Sequence, residues 1–479
     1  MPSPSVMNRV KEDEERPAAA RTNSLRKLSP KPIDFKPSDV ILPRMIGTDL
    51  TRYLHFHFFT TYRKIFSVIF TANIIAFFFF ISKANGVPRA RDVMTAASAN
   101  LMVAMLFRQE LFVNLLYETA TCVPHSFPLF IRQRLAKVYH YGGAHSGSAT
   151  AAVVWFLFYT GLITRMYVLD QTTENLANIV MSFALVAMFI VILVTAHPRF
   201  RYFFHDYFEA GHRFAGWIAV ATFWAHGGLR AKYMANQAGI PIASFLVKSP
   251  NFWFFCISTA CSVISWLQLR RRDVYPEILS NHAIRLHFKY RTIKPFYGIK
   301  FSDRPLYEWH AFATIPEKDD NGHVIGFSIV VSNAGDWTKR TITDPPTKLW
   351  TRGFPLHGVL YTSRLFKRIV VVATGSGIGP CLSLFTAKST ACRILWSTPN
   401  PESTYGPEIV QSVLEADPDA VVWNTKTLGR PDLISLTYWL VQQSQAEAVF
   451  TISNRAATKE VVYAMNTRGI AAYGAIFDS

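Results

Sequence analysis

The sequence predicts a multi-domain protein: a six-helix transmembrane bundle, then an antiparallel β-barrel, then a parallel α/β domain. Three observations predict it. Half of the 479 residues are apolar, 38 of them Phe, and only 17% are charged, against about 25% in an ordinary soluble domain. Up to Arg272 the apolar residues fall in runs of about 20, the length that crosses a bilayer. Beyond Arg272 the texture turns to short alternating segments, and from residue 368 to apolar strand, glycine loop and helix. Disordered, coiled-coil and collagen classes are excluded by the same composition.

Residues 1–60 read as a disordered basic tail rich in Pro, Ser and Arg. Within it, Arg21-Thr-Asn-Ser24 and Arg26-Lys-Leu-Ser29 have the pattern of kinase sites. No early apolar core marks a signal peptide. Residues 61–272 form the membrane domain. Clear spans are Phe66–Ser82, Ala149–Leu169, Ala177–Ala196 and Asn251–Leu269. Weaker ones are Val93–Tyr117, which carries Arg108 and Glu110, and Arg213–Leu229, which carries His226. Six spans return the chain to its starting side. The basic residues flanking them (Arg63-Lys64, Arg132/Arg134/Lys137, Arg199/Arg201, Arg270-Arg271-Arg272) favour cytosolic termini.

The formal charge of +18 agrees with this placement. Residues 1–64 hold 12 basic and 7 acidic side chains, and 270–295 hold 7 and 2, so +10 of the charge borders apolar segments. That is a juxtamembrane distribution, and nucleic acid is excluded as a partner. The five cysteines (Cys122, Cys256, Cys261, Cys381, Cys392) show neither zinc spacing nor a disulfide framework. The polar domains therefore belong in a reducing compartment.

Residues 273–365 alternate as a barrel should, in Ala283-Ile-Arg-Leu-His-Phe and Phe327-Ser-Ile-Val-Val-Ser. Residues 366–479 begin with the apolar strand Arg368–Thr374, which runs into Gly375-Ser-Gly377-Ile-Gly379-Pro380. Glycines there let backbone N–H groups reach a pyrophosphate at a helix N-terminus, where the helix dipole favours an anion. An ordinary tight strand–helix turn is the alternative. The next strand ends Trp396-Ser397-Thr398, with no acidic or basic residue to choose between NADH and NADPH.

The barrel also carries Glu308-Trp-His310-Ala-Phe312-Ala-Thr314, followed by Gly335-Asp336-Trp337-Thr338. With the glycine loop, these resemble the flavin-binding pieces of the ferric reductase/NADPH oxidase class. The chain most resembles the fungal TmpA/TmpL-type transmembrane flavoproteins, over about residues 60–479. The resemblance implies a ferredoxin-reductase-like module: an FAD-binding barrel plus an NAD(P)-binding α/β domain. FAD would touch His310, Phe312, Thr314, Gly335, Asp336, Trp337 and Thr338. NAD(P)H would touch Gly375, Gly377, Gly379, Pro380, Ser453 and Arg455. Phe477 would shield the flavin, or anchor the tail. His310 and Phe312 could equally be barrel core, and Arg455 could hold a surface carboxylate. Two departures stand out: Ser332 replaces the Arg expected before Gly-Asp-Trp-Thr, leaving Lys339 and Arg340 nearby. Ser453-Asn454-Arg455 stands in place of Cys-Gly-Pro. No catalytic residue is assigned.

The implied activity is an integral membrane FAD-dependent NAD(P)H oxidoreductase, passing electrons to an acceptor at or in the membrane. Redox homeostasis or developmental signalling is the implied setting, in the plasma membrane or another endomembrane. A flavin or nucleotide sensor without turnover is one alternative, a transmembrane metalloreductase another. Some related fungal proteins carry an adenylate-forming domain, which here would be a separate polypeptide. For haem, His212 and His226 lie 14 residues apart, nearly on one helix face and about 21 Å along it. The third span offers only His140 and His145, so at most one bis-His haem is expected. His140-Tyr-Gly-Gly-Ala-His145-Ser-Gly could instead make a close helix crossing.

Overall fold

The computed structural model describes residues 28–33 and 35–475. The two Ser motifs at 21–27 lie outside it, apart from Leu28 and Ser29, as does Phe477.

Seven long helices come first: α1 (Thr61–Lys83), α2 (Ala90–Leu106), α3 (Glu110–Thr121), α4 (Gly142–Leu169), α5 (Leu176–Ala196), α6 (His205–Ala238) and α7 (Pro250–Leu267). Four of them, α1, α4, α5 and α7, are long and apolar enough to cross a membrane. The count is five if α2 and α3, bent by 72° at their junction, make one span. Among the described residues this gives four or five candidate spans by length and composition, short of the six expected. The segment at 93–117 breaks at Phe107-Arg108-Gln109, and α6, 34 residues long, carries Glu209, Arg213, Arg230 and Lys232. Charged side chains cost too much in hydrocarbon for α6 to read as a plain span.

Small residues decide how the helices meet. A Cβ on Gly143 would overlap the Tyr62 carbonyl oxygen, and one on Gly147 would sit 3.0 Å from that of Phe66. Tyr62 OH and Ser146 Oγ share a hydrogen bond across this contact. The histidine–glycine segment thus forms the close α1–α4 crossing that its composition allowed, with polar glue.

Strands β1 (Arg270–Asp273), β2 (Tyr275–Ile278), β3 (Ala283–Phe288), β4 (Tyr297–Ser302), β5 (His310–Ala313), β6 (Ile315–Lys318), β7 (Val324–Ser332) and β8 (Lys348–His357) form two four-stranded antiparallel sheets. Their orders are β1-β8-β4-β5 and β2-β3-β7-β6. The alternation in β3 does what it predicts: Ile284, Leu286 and Phe288 are fully buried while Arg285 and His287 face outward. Phe288 stacks on Phe301 of one sheet at 4.9 Å and on Phe327 of the other at 5.0 Å. One core thus joins the sheets. Helix α8 (Asp336–Thr343) covers it.

The last domain is a five-stranded parallel sheet, order β11-β10-β9-β12-β13. Its strands are β9 (Arg368–Thr374), β10 (Ala391–Thr398), β11 (Val421–Asn424), β12 (Ala448–Ile452) and β13 (Ala472–Gly474). Helices α9 (Ile378–Ala387), α10 (Pro407–Ala416), α11 (Leu433–Ser444) and α12 (Arg455–Asn466) connect them. The central strand β9 is apolar and buried on both faces, as a doubly covered parallel strand must be.

Part of the expected tail is a strap on this domain. Leu28 exchanges two hydrogen bonds with Gln411 (3.1 and 2.6 Å), Lys31 pairs with Asp419, and Phe35 packs edge-on to Trp439 at 5.6 Å. Farther along, Ile46 N donates to Thr467 O at 2.7 Å. A helical turn at Asp49–Arg52 and a π-helical segment at Tyr53–Phe58 lead into α1.

Candidate functional site

The strand order places one crevice. From β9 the sheet grows through β10 and β11 on one side and through β12 and β13 on the other. Connections therefore diverge above the carboxyl ends of β9 and β12, which is where open α/β sheets bind ligands.

The glycine loop fills that position. Gly375 has φ +50, in the left-handed region where glycine is favoured. Gly377 lies so close to β12 that a Cβ would overlap the Ile452 carbonyl oxygen. Trp396 Nε1 donates to Gly375 O at 3.1 Å, and Tyr405, 1% exposed, packs against Trp396 below the loop. The sequence offered no signal for Tyr405, since it comes from a short helix far along the chain. Thr374 Oγ1 and Ser453 Oγ share a hydrogen bond, so the ends of β9 and β12 are tied together. Asn454 caps α12 by accepting from Ala457 N at 3.0 Å. Arg455 follows, its guanidinium 5.1 Å from the Tyr202 ring of the helical region. Gly375, Gly377, Gly379, Pro380, Ser453 and Arg455 thus share one end of the sheet.

Two chemical points follow. Cys381, one turn into α9, is fully buried, and burial pushes its thiol far up; it is no nucleophile. Ser397 and Thr398 are 6% and 1% exposed and turn inward. Asn400, past β10, and Asn424, at the end of β11, are joined by bonds of 3.0 and 3.3 Å.

The barrel site abuts this one. A Cβ on Gly379 would lie 3.5 Å from Val330 of β7, and Ser383 Oγ of α9 accepts from Phe296 N at 2.6 Å. His310 stacks on Trp337 at 4.3 Å, and Phe312 lies 5.7 Å from the same indole. Many of their polar atoms have partners inside the chain. His310 Nε2 meets Glu308 at 3.2 Å, Trp337 Nε1 donates to Asp303 at 3.2 Å, and Thr314 Oγ1 donates to Tyr297 O at 2.9 Å. Thr338 Oγ1 accepts from Ala334 N and Gly335 N, both at 2.9 Å. Arg340 is committed to Asp303 and Glu308 at 3.2 and 3.3 Å. Gly335 faces open space, beside Asp336 at the start of α8. Lys339 is exposed.

The histidines of the helical region separate. His226 is fully buried, its Nε2 3.1 Å from Ser182 Oγ and 3.5 Å from Tyr159 OH. His145 Nδ1 lies 2.8 Å from Ala104 O. His140 rests on Tyr139 at 4.3 Å and His212 beside Phe208 at 5.5 Å. Among the described residues no group of three or more His, Cys, Asp or Glu could hold a metal ion. Glu110 is a joint between domains: Ser265 Oγ donates to it at 2.5 Å and Lys300 of β4 lies 3.6 Å away. Beside it Arg352 is sandwiched at 4.4 Å from Trp266 and 4.7 Å from Trp309.

Comparison with known proteins gives a different kinship from the expected one. A family model described as the C-terminal domain of adenylate-forming reductase 03009 matches residues 359–479. Two Coprinopsis cinerea proteins match most of the chain. Adenylate-forming reductase 03009 is 42% identical over 433 residues, which is 90% of this chain and 41% of that protein. Adenylate-forming reductase 06235 is 40% identical over 442 residues, 91% of this chain and 42% of that protein. The chain thus spans about two-fifths of the length of these relatives. Among solved structures, a ferredoxin NADP+ reductase from Neisseria gonorrhoeae is similar at 12% identity and a TM-score of 0.35, over 43% of this chain and 98% of that one. A flavohemoglobin from Malassezia yamatoensis is similar at 13% and 0.37, over 80% and 98%. Neither structural likeness carries weight at such scores.

These matches correct two expectations. The similarity found is to parts of adenylate-forming reductases, not to TmpA/TmpL-type flavoproteins of the ferric reductase/NADPH oxidase class. What falls with it is the expected electron route, from NAD(P)H through FAD to an acceptor at or in the membrane, together with the sensor and metalloreductase alternatives. The misleading signals were short. Gly-Asp-Trp-Thr and a Gly-x-Gly loop are pieces that a sheet edge and a strand–helix turn can produce in unrelated settings, whereas a match over 433 residues cannot arise that way.

Proposed function

We propose that this chain is a pyridine-nucleotide-dependent reductase acting on a carboxyl group activated by an adenylate-forming partner. One observation carries the reading. The glycine loop and the Ser453–Arg455 turn meet at the carboxyl ends of β9 and β12, where the strand order reverses and a helix begins. The residues fit a dinucleotide. Backbone N–H groups at the start of α9 would receive its pyrophosphate, Arg455 would face a phosphate, and the Thr374 and Ser453 hydroxyls would orient the nicotinamide end. Bound there, NAD(P)H would supply the hydride. The names of the two relatives support the substrate side, with an activated acyl group reduced to the aldehyde as the adenylate leaves. The adenylate-forming step is assigned to a partner segment or polypeptide.

FAD is the second cofactor in this reading, held on the barrel. Its support is narrower: His310, Phe312 and Trp337 offer an aromatic face, and the first turn of α8 with Lys339 offers an anion cradle. The helices are proposed to anchor the module in a membrane with both termini cytosolic. Helix α1 buries none of its residues and exposes Val68, Ile75, Phe78 and Phe79.

The test is an absorption spectrum of the purified chain with NADPH or NADH, followed by a synthetic acyl adenylate. Nucleotide binding and loss of nicotinamide absorbance on adding the adenylate are expected. Binding of neither nucleotide would overturn the reading; binding without consumption would remove the substrate half. A spectrum free of flavin bands would remove FAD alone.

A further inference from the structure

Where the strap meets α1, basic side chains gather, and the acid nearby, Asp49, is paired with Arg52. His55 lies in the π-helical segment, Lys64 in the first turn of α1, and Arg134 and Lys137 just before α4. The crossing at Gly143 and Gly147 draws these segments together. Burial, then Lys64, Lys137 and Arg134, pull the His55 imidazole below its ordinary value. Burial, then Arg134 and Lys64, lower the Lys137 ammonium. Among the described residues, the side chains of Lys64, Arg134 and Lys137 have no hydrogen bond or ion pair. Like charges so placed disfavour one another's charged forms, and a bound anion would relieve that.

A cleft shares His55 with this group. Thr51, Arg52, His55 and Asn466 help to line a cleft of about 350 Å³. Arg52 is only 11% exposed at its side chain; it pairs with Asp49 and the Gly47 carbonyl, yet its Nε is buried without a partner. Nor do these cations cap α12, whose end lies here. Thr467 O is taken by Ile46 N at 2.7 Å and Ala464 O by Arg468 at 2.8 Å.

We propose that this cleft and its cation rim bind a phosphate group, presented on a lipid headgroup or free in solution. Phosphate oxygens can accept from guanidinium, imidazole and ammonium donors together. The rim stands immediately before α1, the first helix apolar enough to cross a membrane, which is where a phosphorylated headgroup would lie. The proposal is independent of the reductase reading, because the cleft is at the opposite end of α12 from Arg455.

The test uses the full chain in phosphatidylcholine nanodiscs, following thermal unfolding and lysine acetylation by mass spectrometry. One arm adds inorganic phosphate; the other includes phosphatidylinositol bisphosphate in the disc. Expected are a rise in the unfolding midpoint and protection of Lys64 and Lys137. The lipid arm alone responding identifies the headgroup as the source; both responding identifies phosphate from either. In the triple variant Lys64→Gln/Arg134→Gln/Lys137→Gln the apparent affinity should fall about a hundred-fold, at roughly one kcal/mol per charge. Should that variant not fold, the acetylation pattern of the unaltered chain decides. No response in either arm, a response matched by sodium chloride at equal ionic strength, or an undiminished response in the triple variant would overturn the proposal.

Discussion

Single glycines separate packing from ligand access. Adding a Cβ at Gly377 drives it into the Ile452 carbonyl, and overpacking of this kind costs about 1–3 kcal/mol. Gly377→Ala should therefore lower the unfolding midpoint and weaken NADPH binding at least ten-fold, read by calorimetry and fluorescence titration. Gly335→Ala meets open space and should leave stability unchanged; a large loss there would contradict the geometry. His287 is the residue with a usable pH signature. Burial lowers it, but Glu317 at 2.6 Å and Glu277 at 2.9 Å raise it further, to about 9 from 6.5. The same pairing holds Glu277 low, and holds Glu317 low against its burial. A raised histidine stabilises fully below its unfolded value and loses that contribution as pH climbs through the folded one. The stability gap between the unaltered chain and His287→Gln should thus shrink from neutrality to past pH 9. A gap that grew over that range would refute the pairing.

At the scale of elements, helix contacts depend on which residues are small. The α1–α4 crossing was legible because Gly143 and Gly147 are four apart and so share a helix face. Gly143→Leu should separate the helices and lower the unfolding midpoint in detergent, with a cost of a few kcal/mol; an unchanged midpoint would mean the crossing is not close. Apolar periodicity likewise marked α1, α4, α5 and α7. It overreached at 93–117, since hydropathy does not register that Arg108 and Gln109 end one helix and begin another at 72°. In the barrel, the alternation of β3 was readable. The pairing of His310 with Trp337, 27 residues on, was not, because it depends on how α8 folds back.

Across the whole molecule, one ion pair links the helical part to the α/β domain. Arg132, buried, donates to Glu447 at 2.8 and 3.0 Å and to Leu365 O at 2.7 Å, while Glu447 also accepts from Lys367 N at 2.8 Å. Removing one partner of a buried pair costs about 3–5 kcal/mol. Arg132→Gln should unfold the α/β domain earlier than the unaltered chain, whereas Arg132→Gln/Glu447→Gln should recover part of the loss. Equal midpoints in all three would show the joint contributes nothing. The strap adds a second connection, setting Leu28 against α10, Phe35 against α11 and Ile46 at the end of α12.

By itself the sequence determined what local pattern and composition can determine. It determined four apolar helices, an alternating antiparallel region, a parallel region with a glycine loop at its first strand end, and the segregation of charge. Each is a property of neighbouring residues, so it survives without knowledge of the fold. Only the tertiary structure decided that Ser453 and Thr374 share one crevice, that His226 is occupied by Ser182 and Tyr159, and that Arg340 is consumed by Asp303 and Glu308. These partners lie far apart along the chain. Which donor meets which acceptor is set by sheet order and helix crossing, and no local spacing encodes that.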